Sequence, residues 1–539
     1  MRNYRSLTAA VLAILLSALA GGVFGRSALA TEDRVPDHYK VFTTALAAIQ
    51  ADYAEPVESD RLVYGAIQGM LQTLDPHSNF MDPKSYAQMR ERQEGRYYGL
   101  GITIQAQGGD ITVVRLFEGS PAYKTGIRRG DVIAEIKGED TKGWTSDDAV
   151  RELRGPKGTF VKIGIRRKGL DELIPLEVMR DEINMPSVSA AFMIDDQTGY
   201  ARVDEFAEHT DEELGNALEM LSKAGMKRFV LDLRGNPGGQ LDQAIRIANR
   251  FLPRGSMIVY TRGRVPNSDQ DYRATDTGDY TDLPMIVLVN RNSASASEIV
   301  SGALQDHDRA LIVGETTFGK ALVQSIYRIS QGAGLALTTA RYYTPSGRLI
   351  QRPWDGTFDE YLTYTLRDQT ERPHTDAQLK FTASGRKVYS GGGIEPDERF
   401  DGPVEGFDPT RFGRSLYARQ LFASFAEQFA AVGDTRPGAQ AGHDRKVRPD
   451  FTVDDAMLGD FKAFVRDRGM KIDEEAWQKD TPFIRAMVRF EIDVALFSGA
   501  VAREHLVETD PQTGFALTHF DEAVRLSRLS ASGAGKVGQ

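Results

Sequence analysis

Two stretches of this chain place a hydroxyl and an amine where apolar segments end. The run Asn290-Arg291-Asn292-Ser293-Ala294-Ser295-Ala296-Ser297-Glu298 follows the apolar segment Met285 to Val289 and precedes a helical pattern, Glu298 to Leu304. A serine at such a strand-to-helix turn projects its hydroxyl at a helix N-terminus, where unpaired N–H groups and the helix dipole stabilise developing negative charge. Serines there also act as plain helix caps, so the run alone defines no site. The second stretch, Gly314-Glu315-Thr316-Thr317-Phe318-Gly319-Lys320, follows the apolar segment Ala310 to Val313. A lysine with its stem in apolar surroundings loses its proton more easily and can serve as general base to a serine. Moving it from about 10.4 to near 7 costs roughly 4 kcal/mol of burial free energy. A lone lysine in this place would equally suit a surface charge or a phosphate contact. Gln324, four residues on, shares a side with Lys320 in helix or strand and can hold the amine by a hydrogen bond.

A third element is Phe229-Val230-Leu231-Asp232-Leu233-Arg234-Gly235-Asn236-Pro237-Gly238-Gly239. An apolar strand ends there in a Gly-rich turn whose free N–H groups could complete an oxyanion hole. An ordinary strand-to-helix turn would look similar. The G-x-G-x-x-G spacing of a dinucleotide site is missing.

These segments need a scaffold, and the chain supplies one in parts. From Pro36 to about Glu94 apolar residues recur at helical spacing, as in Phe42, Leu46, Ile49 and Tyr53, and Asp75-Pro76-His77 stops the second helix. Short apolar runs separated by Gly-rich turns follow from Tyr97 to Val178, with one helix from about Ser146 to Leu153 capped by Thr145 or Ser146. From Gly199 to about Pro396 continuous apolar strands alternate with helices, which implies a sheet buried on both faces. Within it the polar, Asp-rich stretch Thr261 to Thr281 reads as a loop outside the core. After Asp401 the pattern is helical again, broken by Gly433 to Pro449. The expected fold is therefore multidomain α/β. Its parts are a leader at 1–30, a helical region at 31–96, a β-rich domain at 97–178, an α/β core at 179–400 and a helical extension at 401–539.

With 539 residues, 41% hydrophobic and 26% charged, the chain can bury several cores. Its net charge of −10 argues against a nucleic-acid surface, which needs clustered basic residues. The absence of cysteine excludes thiol nucleophiles, thiolate metal sites and disulfides. Arg2 and Arg5 precede an uncharged run from Ser6 to Gly25, and Ala28-Leu29-Ala30 offers a small-x-small cleavage pattern. The run is long enough for either a cleaved export signal or a retained membrane anchor. Both place the bulk of the chain outside the cytoplasm, in a bacterial periplasm or its equivalent.

Together, Leu231 to Gly239, Ser293 to Ile299 and Gly314 to Gln324 resemble the carboxyl-terminal processing peptidases, or tail-specific proteases, which are serine peptidases with an embedded PDZ domain. The likeness extends from about Phe42 to Asp397 and takes in Leu74-Asp75-Pro76-His77-Ser78 and Gly391-Gly392-Gly393-Ile394-Glu395-Pro396-Asp397. It implies that Ser295 is the nucleophile, Lys320 the general base and Gln324 the residue that orients the lysine. It implies an oxyanion hole from the N–H groups of Ala296 and Gly238, with Gly239 the substitute if the turn is displaced by one. Asp306 matches an acidic residue of the family and reads as structural, because His307-Asp308-Arg309 suggests a surface turn. The β-rich domain matches the PDZ, in which Gly99-Leu100-Gly101-Ile102 would aim N–H groups at a substrate's terminal carboxylate. The resemblance implies protein or peptide substrates with a free C-terminus, no cofactor and no metal, and a PDZ that selects the tail and gates the site. The extension at 401–539 is outside it; its size suits dimerisation, tethering or adaptor binding.

Other chemistries fit less well. No G-x-S-x-G is present, and His307 is the only histidine near Ser295 in sequence. Ser384 to Lys387 has Ser-x-x-Lys spacing, but Gly385 lies inside it and no helical pattern surrounds it. A His-Glu-x-x-His metal motif is absent. A catalytically inactive PDZ scaffold would typically lack the serine, lysine or glutamine, and this chain has all three.

Overall fold

The computed structural model describes residues 35–117, 119–167, 169–354, 361, 363, 365, 373–400, 409–432 and 447–533. The leader at 1–30 lies outside them. Among the described residues no helix is long and apolar enough to cross a membrane. The chain divides into two units, residues 1–82 and 83–539.

The first unit contains helices α1 (Val35–Asp52) and α2 (Ser59–Gln72) and the short strand β1 (Asn79–Met81). Helix α2 buries Leu71, while Met70 and, just beyond its end, Leu74 are exposed. The turn after it is held by Asp75, whose carboxylate accepts the N–H groups of His77 and Ser78 and the Ser78 hydroxyl.

The second unit opens with α3 (Pro83–Glu94) and a β-rich domain. Its strands are β2 (Arg96–Gly99), β3 (Ile102–Gln107), β4 (Asp110–Leu116), β5 (Val132–Ile136), β6 (Glu139–Asp140), β7 (Phe160–Arg166), β8 (Ile174–Met179) and β9 (Asp181–Asn184), with the short helix α4 (Pro121–Lys124) and α5 (Ser146–Leu153). The sheet order is β3-β4-β5-β7-β8, with β6 on β5, so β3 is an edge strand. Helix α5 has the expected bounds and is capped by Thr145 in a reciprocal pair with Asp148. Ile111, Val113, Ile133, Ile165 and Val178 form this domain's own core.

The α/β core follows as β10 (Val188–Met193), β11 (Thr198–Val203), α6 (Thr210–Lys223), β12 (Arg228–Asp232), α7 (Leu241–Asn249), β13 (Met257–Arg262), β14 (Gln270–Arg273), β15 (Met285–Val289), α8 (Ala296–Asp306) and β16 (Leu311–Gly314). It continues through β17 (Leu322–Arg328), β18 (Gly334–Tyr343), the hairpin β19 (Leu379–Phe381) and β20 (Lys387–Tyr389), and β21 (Glu398–Arg399). The central sheet runs β10-β11-β12-β15-β16-β21. It is parallel from β11 onward, with β10 antiparallel to β11. A smaller antiparallel sheet joins β17 to β18, β18 to β13 and β13 to β14. The stretch 261–281 is therefore not a loop outside the core: it carries the β13–β14 hairpin and buries Ala274. Nor is 306–309 a surface turn, since Asp306, Asp308 and Arg309 are all buried and Asp306 pairs with Arg348 at 2.5 Å.

Both faces of the central sheet are covered, and alternation along each strand assigns its residues to them. Phe229, Leu231, Met285, Val287 and Ile312 face α6, α7 and α8. Val230, Ile286, Leu288, Leu311 and Val313 face the other way. That second face is covered by the C-terminal extension, which comprises α9 (Arg411–Ala418), α10 (Leu421–Val432), α11 (Asp455–Asp467), α12 (Glu474–Leu496), α13 (Gly499–Glu508), α14 (Pro511–Leu517) and α15 (Phe520–Gly533). Val507, Ala516, Phe520, Ala523 and Leu526 pack directly on the strands. At about 1.5–3 kcal/mol for each fully buried large apolar side chain, this contact is a substantial part of the core's stability. Helices α9 to α12 instead enclose a separate core built on Phe422, Phe461, Trp477 and Ile484.

Candidate active site

Strands β12, β15 and β16 are adjacent and parallel, so the loops that leave their C-terminal ends meet above one edge of the sheet. These loops carry Gly238, Ser295 and Lys320.

Ser295 is the N-cap of α8 and has φ 54°, ψ −110°, a conformation that costs a non-glycine residue on the order of 1–3 kcal/mol. Several bonds hold it there. Its N–H donates to Glu298 Oε2 at 2.7 Å, and its carbonyl accepts the N–H groups of Glu298 and Ile299. Ser293 donates its hydroxyl to Leu233 O, Ala294 N–H donates to Asn236 O, and Ser297 donates its hydroxyl to the same carbonyl. The serine-rich run is thus stitched to the glycine turn, and the flanking serines are spent on that stitching.

The glycine turn lies directly against Ser295. A Cβ on Gly238, whose φ is +100°, would sit 2.8 Å from Ser295 Cβ and 2.9 Å from Ala296 N, so only glycine fits. The N–H of Gly238 donates to Asn236 Oδ1 at 2.8 Å. Among the described residues, the N–H groups of Gly239 and Ala296 donate to no protein acceptor. Gly239 in turn presses on Phe206, where a Cβ would lie 2.2 Å from the carbonyl oxygen.

Lys320 ends the loop after β16, and Gln324 lies in β17 beside a register shift at Val323. Lys320 Nζ donates to Gln324 Oε1 at 3.0 Å. The loop is packed from beneath by the tract Gly391 to Ile394: Thr317 N–H donates to Ile394 O, and Ile394 N–H donates to the Thr317 hydroxyl. A Cβ on Gly393 would meet Thr317 O at 2.4 Å, which accounts for a glycine at that point.

Sequence reasoning passed over the two side chains that join these loops. Glu298, fully buried, accepts the Thr317 hydroxyl and the Gly319 N–H on Oε1, and the N–H groups of Ser295 and Lys320 on Oε2. Burial pushes its carboxyl up from the usual range, and these four donors pull it part of the way back. Tyr342, on β18, places its hydroxyl 3.1 Å from Ser295 O and 2.5 Å from Lys320 O. Glu298 did have a signal: a serine followed three residues later by glutamate is a capping pattern. Tyr342 had none.

The proposed carboxylate loop belongs to the β-rich domain. Gly99 ends β2, Leu100 is buried in the domain core, Gly101 has φ +79° and Ile102 opens β3. The carbonyls of Leu100 and Gly101 accept the N–H groups of Ala122 and Phe117, which turns that side of the loop inward. Among the described residues no group of His, Asp or Glu side chains is arranged to hold a metal ion.

Residues 197–357 match the profile of Peptidase family S41, 88–166 that of the PDZ domain, and 25–85 that of the activating protease CtpB N-terminal domain. A carboxy-terminal-processing protease of Bartonella bacilliformis is 42% identical over 308 residues, 56% of this chain and 70% of that protein. The carboxy-terminal processing protease CtpA of Bacillus subtilis is 33% identical over 378 residues, 70% of this chain and 79% of that protein. A carboxyl-terminal-processing protease of Synechocystis sp. is 38% identical over 305 residues, covering 55% and 70%. With a PDZ domain ahead of an α/β core whose strand ends gather a serine, a lysine and a glycine turn, the chain belongs to the carboxy-terminal processing proteases, serine-type peptidases of family S41.

Proposed function

We propose that Ser295 is the nucleophile of an endopeptidase that cleaves exported proteins near their C-termini, with Lys320 as general base. The observation that carries this reading is the hydrogen bond from Lys320 Nζ to Gln324 Oε1, on a loop tied through Glu298 to the Ser295 turn. Neutral Lys320 takes the proton of Ser295 Oγ as that oxygen attacks the scissile carbonyl. The resulting ammonium then gives the proton to the departing amine, leaving an acyl-enzyme that water hydrolyses with Lys320 again as base. Gln324 accepts an N–H of the lysine in both protonation states and so aims it without supplying charge. For the oxyanion, Ala296 N–H is available at the start of α8, where the helix dipole adds to the effect. Of the two glycines, Gly238 must first release Asn236, whereas the Gly239 N–H donates to no acceptor among the described residues.

The PDZ domain captures the substrate tail through Gly99 to Ile102 and restrains cleavage until a tail is bound. The basic start and the uncharged run from Ser6 to Gly25 support export to a periplasm, with the leader either removed or kept as a tether. Ser295→Ala and Lys320→Ala should each abolish cleavage of an unfolded test protein at unchanged thermal stability. Lys320→Arg should be equally inactive, because a guanidinium keeps its proton at working pH. An active Lys320→Arg enzyme would remove the lysine from the base role. Fractionation of cells expressing the full chain, with a cytoplasmic marker alongside, tests the location.

A further inference from the structure

The C-terminal extension reaches the active-site turn through one arginine. Arg234, two residues beyond the end of β12, holds Asp232 with Nε at 3.0 Å and Nη2 at 2.7 Å. Among the described residues, the other side-chain contacts of Arg234 are to the start of α14. Nη1 lies 2.5 Å from Asp510 Oδ2 and 3.2 Å from Gln512 Oε1, and Nη2 lies 3.3 Å from the Thr513 hydroxyl. Asp510 is itself fixed, accepting the Gln512 N–H and the Thr513 hydroxyl as the cap of α14. Gln512 then donates to Val289 O at 3.3 Å, the carbonyl where β15 ends and the Ser295 loop begins. The fit is close: a Cβ on Gly314 would lie 2.3 Å from Gln512 Nε2.

Both strand ends that Asp510 and Gln512 hold lead straight into the site. Next to Arg234, Gly235 N–H donates to Asn290 Oδ1, and the Asn236 carbonyl accepts from Ala294 and Ser297. Gly238 then packs on Ser295. We propose that Asp510, with Gln512, is a positioning residue for catalysis: it fixes Arg234, and through it the turn that sets Gly238 and Gly239 against Ser295. The inference rests on the reading of Ser295 as nucleophile. Its physical basis is that Asp232 alone anchors the guanidinium from the strand side, while Asp510 sets the direction of the free edge. Loss of Asp510 leaves Arg234 charged and paired, so the fold survives, but the turn gains freedom where small displacements are costly for rate.

The test compares three variants of the full chain with a saturable peptide substrate and a thermal melt. Asp510→Ala should lower kcat by about tenfold or more at little change in KM, since misplaced groups cost rate more than binding. Asp510→Asn, whose single amide oxygen can serve Arg234 or the Gln512 N–H of the cap but not both, should recover part of that loss when the oxygen faces Arg234. Leu526→Ala weakens the same extension on the same sheet away from Arg234; it should lower the melting temperature at least as much as Asp510→Ala and leave kcat near wild type. Unchanged kcat in Asp510→Ala, or a loss matched by Leu526→Ala at equal loss of melting temperature, would overturn the proposal. Ser295→Ala in the same assay separates the two levels: if it retains activity the nucleophile assignment fails, whatever Asp510 does.

Discussion

Ser295 and Lys320, 25 residues apart in sequence, are suspended from the same oxygen atom. Glu298 Oε2 accepts the N–H of the first at 2.7 Å and of the second at 2.9 Å, and the carboxylate's other oxygen takes Thr317 and Gly319. With the Tyr342 hydroxyl at the carbonyls of the same two residues and the Phe318 N–H on Ser293 O, this buried carboxylate ties the loops of two neighbouring strands together.

This arrangement gives a sharp expectation for Glu298→Gln. Both carboxylate oxygens accept two donors, but an amide offers one oxygen and one NH2. Turned one way, the NH2 faces the N–H groups of Ser295 and Lys320; turned the other, it faces the Gly319 N–H, while the Thr317 hydroxyl must reverse to accept from it. Each buried donor left unmatched costs about 1–3 kcal/mol, so the substitution should lower the melting temperature and abolish measurable cleavage together. A Glu298→Gln enzyme with near-normal kcat would mean that the carboxylate does not hold the two loops in register.

Much of this architecture was legible in the sequence, because it rests on local patterns. Thr145 and Asp148 cap α5 through neighbours three residues apart, and the apolar runs of β12, β15 and β16 announce strands buried on both sides. What escaped notice depends on contacts between distant parts of the chain. Arg234 meets Gln512 across 278 positions, and nothing near either residue signals the other. The same holds for Phe520 and Leu526, whose spacing indicates an amphipathic helix without saying that it covers the sheet's second face. Asp308 and Arg309 looked like a surface turn because charged neighbours usually are; here Asp308 is buried by its pair with Arg386.

The two glycines at the turn should fail in different ways when a methyl group is added. In Gly238→Ala the new Cβ would fall 2.8 Å from Ser295 Cβ and 2.7 Å from Ala294 O, so the damage is directed at the Ser295 turn. Loss of the oxyanion geometry proposed for this turn should lower kcat by about 10²–10³ with a smaller effect on the melt. In Gly239→Ala the Cβ would fall 2.2 Å from Phe206 O, inside the core, and thermal stability should drop first. Equal losses of stability in the two variants would show that the turn moves as one body.

Asp232 gives a pH expectation with a definite sign. Burial raises its carboxyl, but the Arg234 and Arg202 guanidinium groups and the Tyr200 hydroxyl outweigh burial and hold it well below its ordinary 3.8. A carboxyl whose folded value is depressed adds stability that is present above its unfolded value and is lost as pH falls toward the folded one. The melting temperature should therefore decline below about pH 4. Arg202→Gln removes one of the charges that depress the carboxyl, so its melting temperature should be lower at neutral pH and converge on wild type in acid. Parallel curves for the two proteins from neutral pH to acid would exclude this linkage.

The PDZ loop makes the last expectation, about how a substrate's end is read. Gly101 sits at φ +79°, and a Cβ there would lie 2.2 Å from Ser120 Cβ, so the loop is held in a shape that a side chain would destroy. Strand β3, which follows it, is the open edge of its sheet, where an extended peptide can add as a further strand. Ser146, at the start of α5, accepts the Ala106 N–H, which places that helix beside the far end of the same edge. A peptide bound between β3 and α5 would bring its terminal carboxylate to Gly99 to Ile102, with apolar residues next to Leu100 and Ile102. Amidation removes the charge from that contact, at a cost of roughly 1.5–3 kcal/mol or about ten- to a hundredfold in affinity. Below KM, the free-acid form of a substrate should therefore be cleaved faster than its amide, and Gly101→Ala should erase the difference by slowing the acid to the rate of the amide. If the domain also restrains the site, addition of a short, uncleavable free-acid peptide should raise cleavage of an unrelated unfolded protein, and its amide should not. Equal rates for acid and amide in the wild-type enzyme would rule out carboxylate recognition by this loop.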